Sequence, residues 1–406
     1  MMVFKLAWRN IWRNKRRTMI TAASVFTAVI LALVMRSAQL GSYEHMINNV
    51  VGFYTGHIQV HKKGYWDEKS IDNSFVPTDT IYNIINSGHD VSAVTPRFES
   101  FALASAQEQT KGTMVAGIEP AGEDKVTNLK GKLVQGSYLT DSSNGVLLAE
   151  GLAKELKLGI GDTLVLLGQG YHGATAAGLF PITGIVKFPT PDLNKGIVYM
   201  AIAKARDFYS ADHRVTSIVV SVPAGKDALA VAGELRRAFK GMPVEVLDWK
   251  QMIPDLVQLI KVDNVGGIIT IAILYMVISF GIFSTILMML SERMHEFGVL
   301  MAVGMKKMLL IRIVTVEILM ISALGIILGL ALGLPIVGYF HLNPIHVTGE
   351  SAKVYEQYGM EAIFPFSMKW TIFLWQTVVV EGITLLLAFY PYLRLSRLKT
   401  IDALKT

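Results

Sequence analysis

Four stretches of this chain stay apolar without the regular interruption of charged side chains: residues 18–38, 265–290, 309–340 and 370–393. A helix needs about 20 such residues to cross a hydrocarbon core of about 30 Å, so each stretch predicts a membrane span. The third is longer than a span requires and holds Pro335, which predicts a kink or stop near its end. Between the first and second stretches, over residues 41–250, the pattern becomes mixed. Period-two runs predict strands at 57–60, 91–106, 113–118, 145–148, 163–167, 182–186, 197–200 and 217–222, and helical spacing predicts helices at 78–86, 151–158, 203–209 and 227–240. The last helix lies between strands ending at Pro223 and starting at Pro243, the layout of a βαβ unit. From Trp249 the pattern turns helical and runs without a clear break into the second span, giving a stalk plus span over 251–290, with Gly266 and Gly267 as its one hinge candidate. The expected fold is an α-helical membrane domain of four spans, one plus three, with a large α+β extracytoplasmic domain between spans 1 and 2, divided into two subdomains.

Two short segments border the spans. Residues 1–17 place Phe4, Trp8, Ile11 and Trp12 on one helical face, ringed by Lys5, Arg9, Arg13 and Arg16. That is the pattern of a helix lying in the headgroup layer with its cations toward anionic lipid, and equally of a basic flank that sets topology. Residues 291–305 space Met294, Phe297, Met301 and Met305 helically, with Glu292, Arg293, His295 and Glu296 around the first turn. The reading is a stubby helix whose polar turn, Glu292 to Glu296, docks a partner while its apolar remainder packs on the spans. Within the third span Gly325, Gly329 and Gly333 form a smooth ridge that admits another helix, from the same chain or a second one. Glu317 and Glu381 also fall inside spans, where a carboxylate costs about 2.5–3.5 kcal/mol at mid-bilayer on insertion scales, so each is expected to face protein, water or a partner group. A structural bond to a neighbouring helix is the simplest role for Glu317.

Charge then orients the spans. The net charge is +6, yet residues 41–264 hold 21 basic and 24 acidic residues, leaving the rest of the chain at +9. Lys and Arg concentrate before the first span, between spans two and three (Arg293, Lys306, Lys307, Arg312) and in the tail (Arg394, Arg397, Lys399, Lys405). The connector 341–369 instead carries Glu350, Glu356 and Glu361. Both termini are therefore expected in the cytoplasm and the large domain outside, and nucleic acid is not needed to explain the basic balance. Arg36 stands where a signal-peptide cleavage site would need small residues, which favours an uncleaved anchor. With no cysteine, the outer domain relies on its core rather than on disulfides. The glycine-rich 168–178 lacks the Lys and Ser/Thr of a phosphate loop and reads as a hairpin or surface loop. His57 and His61 share a face only in a helix, and their segment alternates like a strand, so no metal site is expected. No nucleophile and base can be aligned, and no catalytic residue is expected.

The N-terminal AWRNIWRNKRRT, the ERMHEFGVLMAVGM segment followed by Glu317 and the glycine ridge, and the terminal PYLRLSRLKTIDAL together resemble the permease subunits of MacB-, LolC/LolE- and FtsX-type ABC transporters. The resemblance covers almost the whole chain. It implies a dimeric inner-membrane permease that couples ATP hydrolysis by cytoplasmic subunits to motion of periplasmic domains, with Glu292, Arg293, Glu296, Gly298 and Gly304 at the coupling-helix positions. Implied partners are a cytoplasmic ABC ATPase dimer, which holds the ATP and Mg, a second permease copy or paralogue, membrane lipid, and a periplasmic carrier or outer-membrane component. The missing phosphate loop departs from MacB proteins, which fuse their ATPase, and the outer domain looks too large for FtsX. GIEPAGE at 117–123 is similar to an element of LolC and LolE and favours the lipoprotein-releasing branch. The implied activity is extraction of lipoproteins or lipids toward the outer membrane, with acyl chains entering between spans one and two. The alternatives are a mechanotransmission efflux permease and an FtsX-like permease that controls a cell-wall hydrolase. Residues 188–195 are the candidate loop for recruiting a carrier.

Overall fold

The computed structural model describes residues 2–13, 15–87, 90–106, 109–223, 226–350, 352 and 362–397. Lys399 and Lys405, and the connector acids Glu356 and Glu361, lie outside the described residues. Contacts divide the chain into two compact units. One holds the chain up to His45, then Leu259 to His346 and the segment from Ile363; the other holds Met46 to Gln258 together with Val347 to Ala362. The main segment of the second unit runs from Met46 to Gln258, where residues 41–250 are expected from the sequence.

Among the described residues four helices are long and apolar enough to cross a membrane: Thr18–Thr55, Pro254–Glu292, Lys307–Leu342 and Trp370–Ser396. Their ends differ from the expected ones for local reasons. The first continues as α-helix to Val50 and closes in a π-turn, Val51–Thr55. The expected unbroken stalk is interrupted at Ile253, between a short helix Trp249–Met252, held by a capping box of Asp248 and Gln251, and the long helix beginning at Pro254. Proline disfavours helical geometry in the residue before it, which fixes the break. Gly266 and Gly267 lie inside a continuous helix, and a Cβ on Gly267 would collide with the Gln39 side chain. Gly267 is therefore a seat for a neighbouring side chain. Pro335 does not stop the third helix, which runs seven residues further to Leu342. The fourth breaks at Ala388 into Trp370–Leu387 and Phe389–Ser396, because Pro391 clashes with the carbonyl four residues back, that of Leu387.

Among its described residues the other unit is built on ten strands: β1 (Ile58–Lys62), β2 (Ala93–Ala106), β3 (Gln109–Ile118), β4 (Leu133–Gly136), β5 (Val146–Ala149), β6 (Thr163–Gln169), β7 (Thr175–Val186), β8 (Ile197–Ala201), β9 (Ser217–Ser221) and β10 (Val244–Asp248). Their order is β10-β1-β9-β2-β3-β8-β5-β7-β4, with β6 bridging β2 and β7. The pairing β2-β3-β8-β5-β7-β6 thus returns to β2, because the two long strands β2 and β7 pair different neighbours along their two halves. The glycine-rich 168–178 forms the turn of the β6–β7 hairpin. Strands β9 and β10 do flank the helix Ala228–Ala238, but β1 lies between them, antiparallel to both, so the expected βαβ unit is split. One hydrophobic core, from Ile58 and Val60 through Phe98 and Val198 to Val246, runs under the whole sheet. The two expected subdomains are therefore not separate cores: strand pairing carries the apolar face across without interruption.

Candidate functional site

Apolar spacing over 291–305 yields a helix shorter than expected, Met294–Ala302. Glu292 is the last residue of the preceding long helix, and Arg293 forms the corner at the short helix's N-cap. The other end is a Schellman closure. Gly304 adopts φ +99°, its N–H bonds the Met301 carbonyl at 3.0 Å, and the Met305 N–H bonds the Leu300 carbonyl at 3.0 Å. Glycine at that left-handed position avoids the Cβ strain another residue would carry, which gives Gly304 a structural role.

Arg293 is nearly buried and donates through Nη1 to both oxygens of the fully buried Glu317, at 3.0 and 2.7 Å. Asn10 of the N-terminal helix Met2–Arg13 also donates to Glu317, at 3.4 Å. Arg293 Nε lies 3.3 Å from Glu296, and Arg13 Nη2 bonds both Glu296 oxygens at 2.9 and 2.6 Å. A chain of charge thus runs Glu317, Arg293, Glu296, Arg13, tying the third long helix, the short helix and the N-terminal helix together. Partial burial pushes the Glu296 carboxyl up, but the bond from Arg13 and the positive charges of Arg13 and Arg293 outweigh it and hold that carboxyl below the usual range. The structural bond expected of Glu317 is this one.

The same geometry corrects the expected docking surface. Arg293 faces inward and Glu296 is already engaged, while the apolar remainder is not fully packed: Val303 is 84% exposed and Val299 43%. Phe297 and Gly298 are buried. The outward surface is therefore Glu292 and His295 followed by Val299, Leu300 and Val303. On the N-terminal helix Phe4, Trp8 and Trp12 are exposed, as are Arg9 and Arg13, but Ile11 is buried with Ala7. Ile11 leaves the aromatic face because positions 7 and 11, four apart, form the stripe that packs on the third helix.

The glycine ridge packs within the chain. A Cβ on Gly325, Gly329 or Gly333 would meet Val25, Val29 or Leu33 of the first helix at 2.7–2.9 Å. That face is covered by the chain's own first helix, so it is not open to a second copy. Glu381 accepts a hydrogen bond from Ser322 on the third helix. Among the described residues no group of three metal-ligating side chains occurs.

A second polar junction escaped sequence reasoning. Arg36 donates to Gln39 Oε1 at 2.7 Å and to Asn264 Oδ1 at 2.8 Å, Gln39 donates to the Tyr43 hydroxyl, and Tyr43 donates to Asp263 at 2.5 Å. It clasps the first and second long helices. The signal was present as three polar residues spaced 3 and 4 apart at the end of an apolar helix, one stripe facing a neighbour. Gly41 was also missed: a Cβ there would stand 2.2 Å from the Pro365 carbonyl, so only glycine lets residues 365–367 lie against the first helix, where Ser37 donates to the Ser367 carbonyl.

Comparison with known proteins decides the family. Residues 18–238 match the MacB-like periplasmic core domain, and residues 268–400 match the FtsX-like permease C-terminal domain. The chain belongs to the MacB/FtsX-type ABC transporter permeases, near the LolC/LolE branch. The permease is 21% identical over 325 residues to the lipoprotein-releasing system transmembrane protein LolC of Neisseria meningitidis, covering 78% of this chain and 76% of the relative. It is 20% identical to the corresponding LolE of Haemophilus influenzae, over 99% of both chains. The crystal structure of the periplasmic region of MacB from Actinobacillus actinomycetemcomitans aligns at TM-score 0.37 and 17% identity, over 52% of the permease and 98% of that chain. Family and span-length helices together make the permease a bacterial inner-membrane protein.

Proposed function

We propose that the permease couples ATP hydrolysis by a separate ABC ATPase to movement of its β-rich domain, and thereby extracts lipoproteins or lipids from the inner membrane toward the outer membrane. The observation that carries the coupling role is the charge chain from Glu317 through Arg293 and Glu296 to Arg13. A force applied to Val299, Leu300 and Val303 reaches the third helix through the buried, charge-assisted contact of Arg293 Nη1 with both Glu317 oxygens. With both termini and the short helix in the cytoplasm, as the distribution of Lys and Arg favours, that surface meets the ATPase and the β-rich domain works in the periplasm.

Apolar cargo suits the outward face of three adjacent strands. Leu103 of β2 stands opposite Leu167 of β6, which stands opposite Ala177 of β7; Val165 stands opposite Leu179 in the next row. Phe101, Leu103, Leu167 and Leu179 are 44–69% exposed, a contiguous apolar face of the kind that marks an interaction site. This supports a hydrophobic substrate over the efflux of polar molecules. The test is reconstitution of the permease with its ATPase in proteoliposomes carrying a triacylated lipoprotein. ATP should release the lipoprotein to a soluble acceptor, and Leu167→Glu should abolish release while ATPase association persists. Release of soluble peptides instead, or recruitment of a cell-wall hydrolase with no release, would replace this reading by an alternative.

A further inference from the structure

One feature of the helical unit is not used by coupling or extraction. A trough of about 620 Å³ lies between the first and third long helices, lined by Met19, Ala22, Ala23 and Phe26 on one side and by Leu324, Leu328, Ala331 and Leu332 on the other. It exists because the residues along it are small: Gly325 draws the helices together, while Ala22, Ala23 and Ala331 leave the space beside that contact unfilled. Among the described lining residues the one hydroxyl, that of Thr18, donates to the Ile11 carbonyl at 2.8 Å. Its walls therefore offer apolar contact alone. One end is different, with Lys15 and Trp12 at the mouth and, among the described lining residues, no acidic side chain.

We infer that this trough holds one acyl chain of an anionic phospholipid, its phosphate beside Lys15 and the indole of Trp12 at the level of the headgroup. Length supports that occupant. From Lys15 to Phe26 the helix rises about 16 Å, close to half of a hydrocarbon core of about 30 Å, the depth of one leaflet. Charge selects the headgroup, since Lys15, with no acidic side chain among the described residues that line the trough, attracts a phosphodiester of net negative charge over a zwitterion. The bound lipid would fill the space that the small residues leave and brace the N-terminal helix, whose Ile11 and Trp12 line the same trough.

The full-length permease reconstituted in nanodiscs of equal parts phosphatidylcholine and phosphatidylglycerol, then extracted into mild detergent and examined by native mass spectrometry, reads the lipid directly. Phosphatidylglycerol should be retained preferentially. Lys15→Gln, an exposed change that disturbs no packing, should lower that preference about fivefold, the effect of one cation near a membrane surface. Ala23→Phe with Ala331→Phe should remove the retained lipid of either class. Equal retention of both lipids by the wild type, or retention unchanged in the Phe double variant with unaltered thermal stability, would overturn the site. If the Phe variant does not fold, the Lys15→Gln preference decides alone: no change in it contradicts the assignment.

Discussion

Each unit of the permease buries an arginine–glutamate pair, and the two are wired differently. In the β-rich unit Arg97 of β2 donates to Glu123 at 2.8 and 2.6 Å, and both side chains are wholly buried. Thr127 donates to the same glutamate, Glu99 stands 3.4 Å from Arg97, and the Tyr54 ring lies under the guanidinium at 4.7 Å. Burial alone would lower the Arg97 pKa, but the charges of Glu123 and Glu99 prevail and hold it above its ordinary value. In the helical unit Arg293 reaches both Glu317 oxygens from one nitrogen, Nη1, and continues through Glu296 to the half-exposed Arg13. The first pair is a closed knot. The second is the inner end of a chain that reaches the surface, and this difference separates a group that holds a fold from one placed to transmit.

The largest effect is expected where the knot is cut. Arg97→Ala leaves Glu123 buried without its counter-charge and should destabilise the β-rich unit by about 3–5 kcal/mol, seen as a drop in the thermal midpoint of the detergent-solubilised chain. An unchanged midpoint would remove the distinction between the two pairs.

Next comes pH. His61 of β1 is fully buried, its Nδ1 hydrogen directed at the Thr216 carbonyl and its ring stacked on Tyr65. Burial lowers its pKa from 6.5 to about 4. Between these values the unfolded chain binds a proton that the folded one refuses, so stability falls as pH drops from 6.5 to about 4 and levels off below. The span corresponds to about 3 kcal/mol. His61→Gln should flatten that slope in a pH series of denaturation curves; a slope that persists would assign it to other groups.

In the open chain, Glu317→Gln keeps a hydrogen-bonding partner for Arg293 but loses the charge. A cost of about 1.5–3 kcal/mol is expected, as for a hydrogen bond to a charged group, together with loss of ATP-driven release out of proportion to it. Equal loss of release on Arg97→Lys and Glu317→Gln at matched stability would show that both pairs serve the fold alone.

The sequence made the pieces of the open chain visible and hid their assembly. Arg293, Glu296 and Glu317 each stand out, because charge beside or inside an apolar run needs a partner. That Arg293 reaches Glu317, 24 residues on, depends on the corner at residue 293, which periodicity does not encode. The glycine ridge was legible as a ridge, but its spacing is the same whether the opposing helix is in this chain or another. In the β-rich unit alternating runs located most strands, whereas the insertion of β1 between β9 and β10 is a long-range pairing with no local signature. Arg97 was invisible as a buried charge because its strand reads as ordinary alternation and Glu123 arrives on a separate helix.

The measurement that bears most directly on transmission is ATPase association and ATP-driven release in the double variant Glu292→Lys, Glu296→Lys. Glu296 faces Arg13 and Arg293, so reversal opens the chain at its middle, while both residues lie at the exposed junction and should not impair insertion. The account predicts a correctly inserted permease that has lost release and its hold on the ATPase. Normal association together with normal release would contradict it.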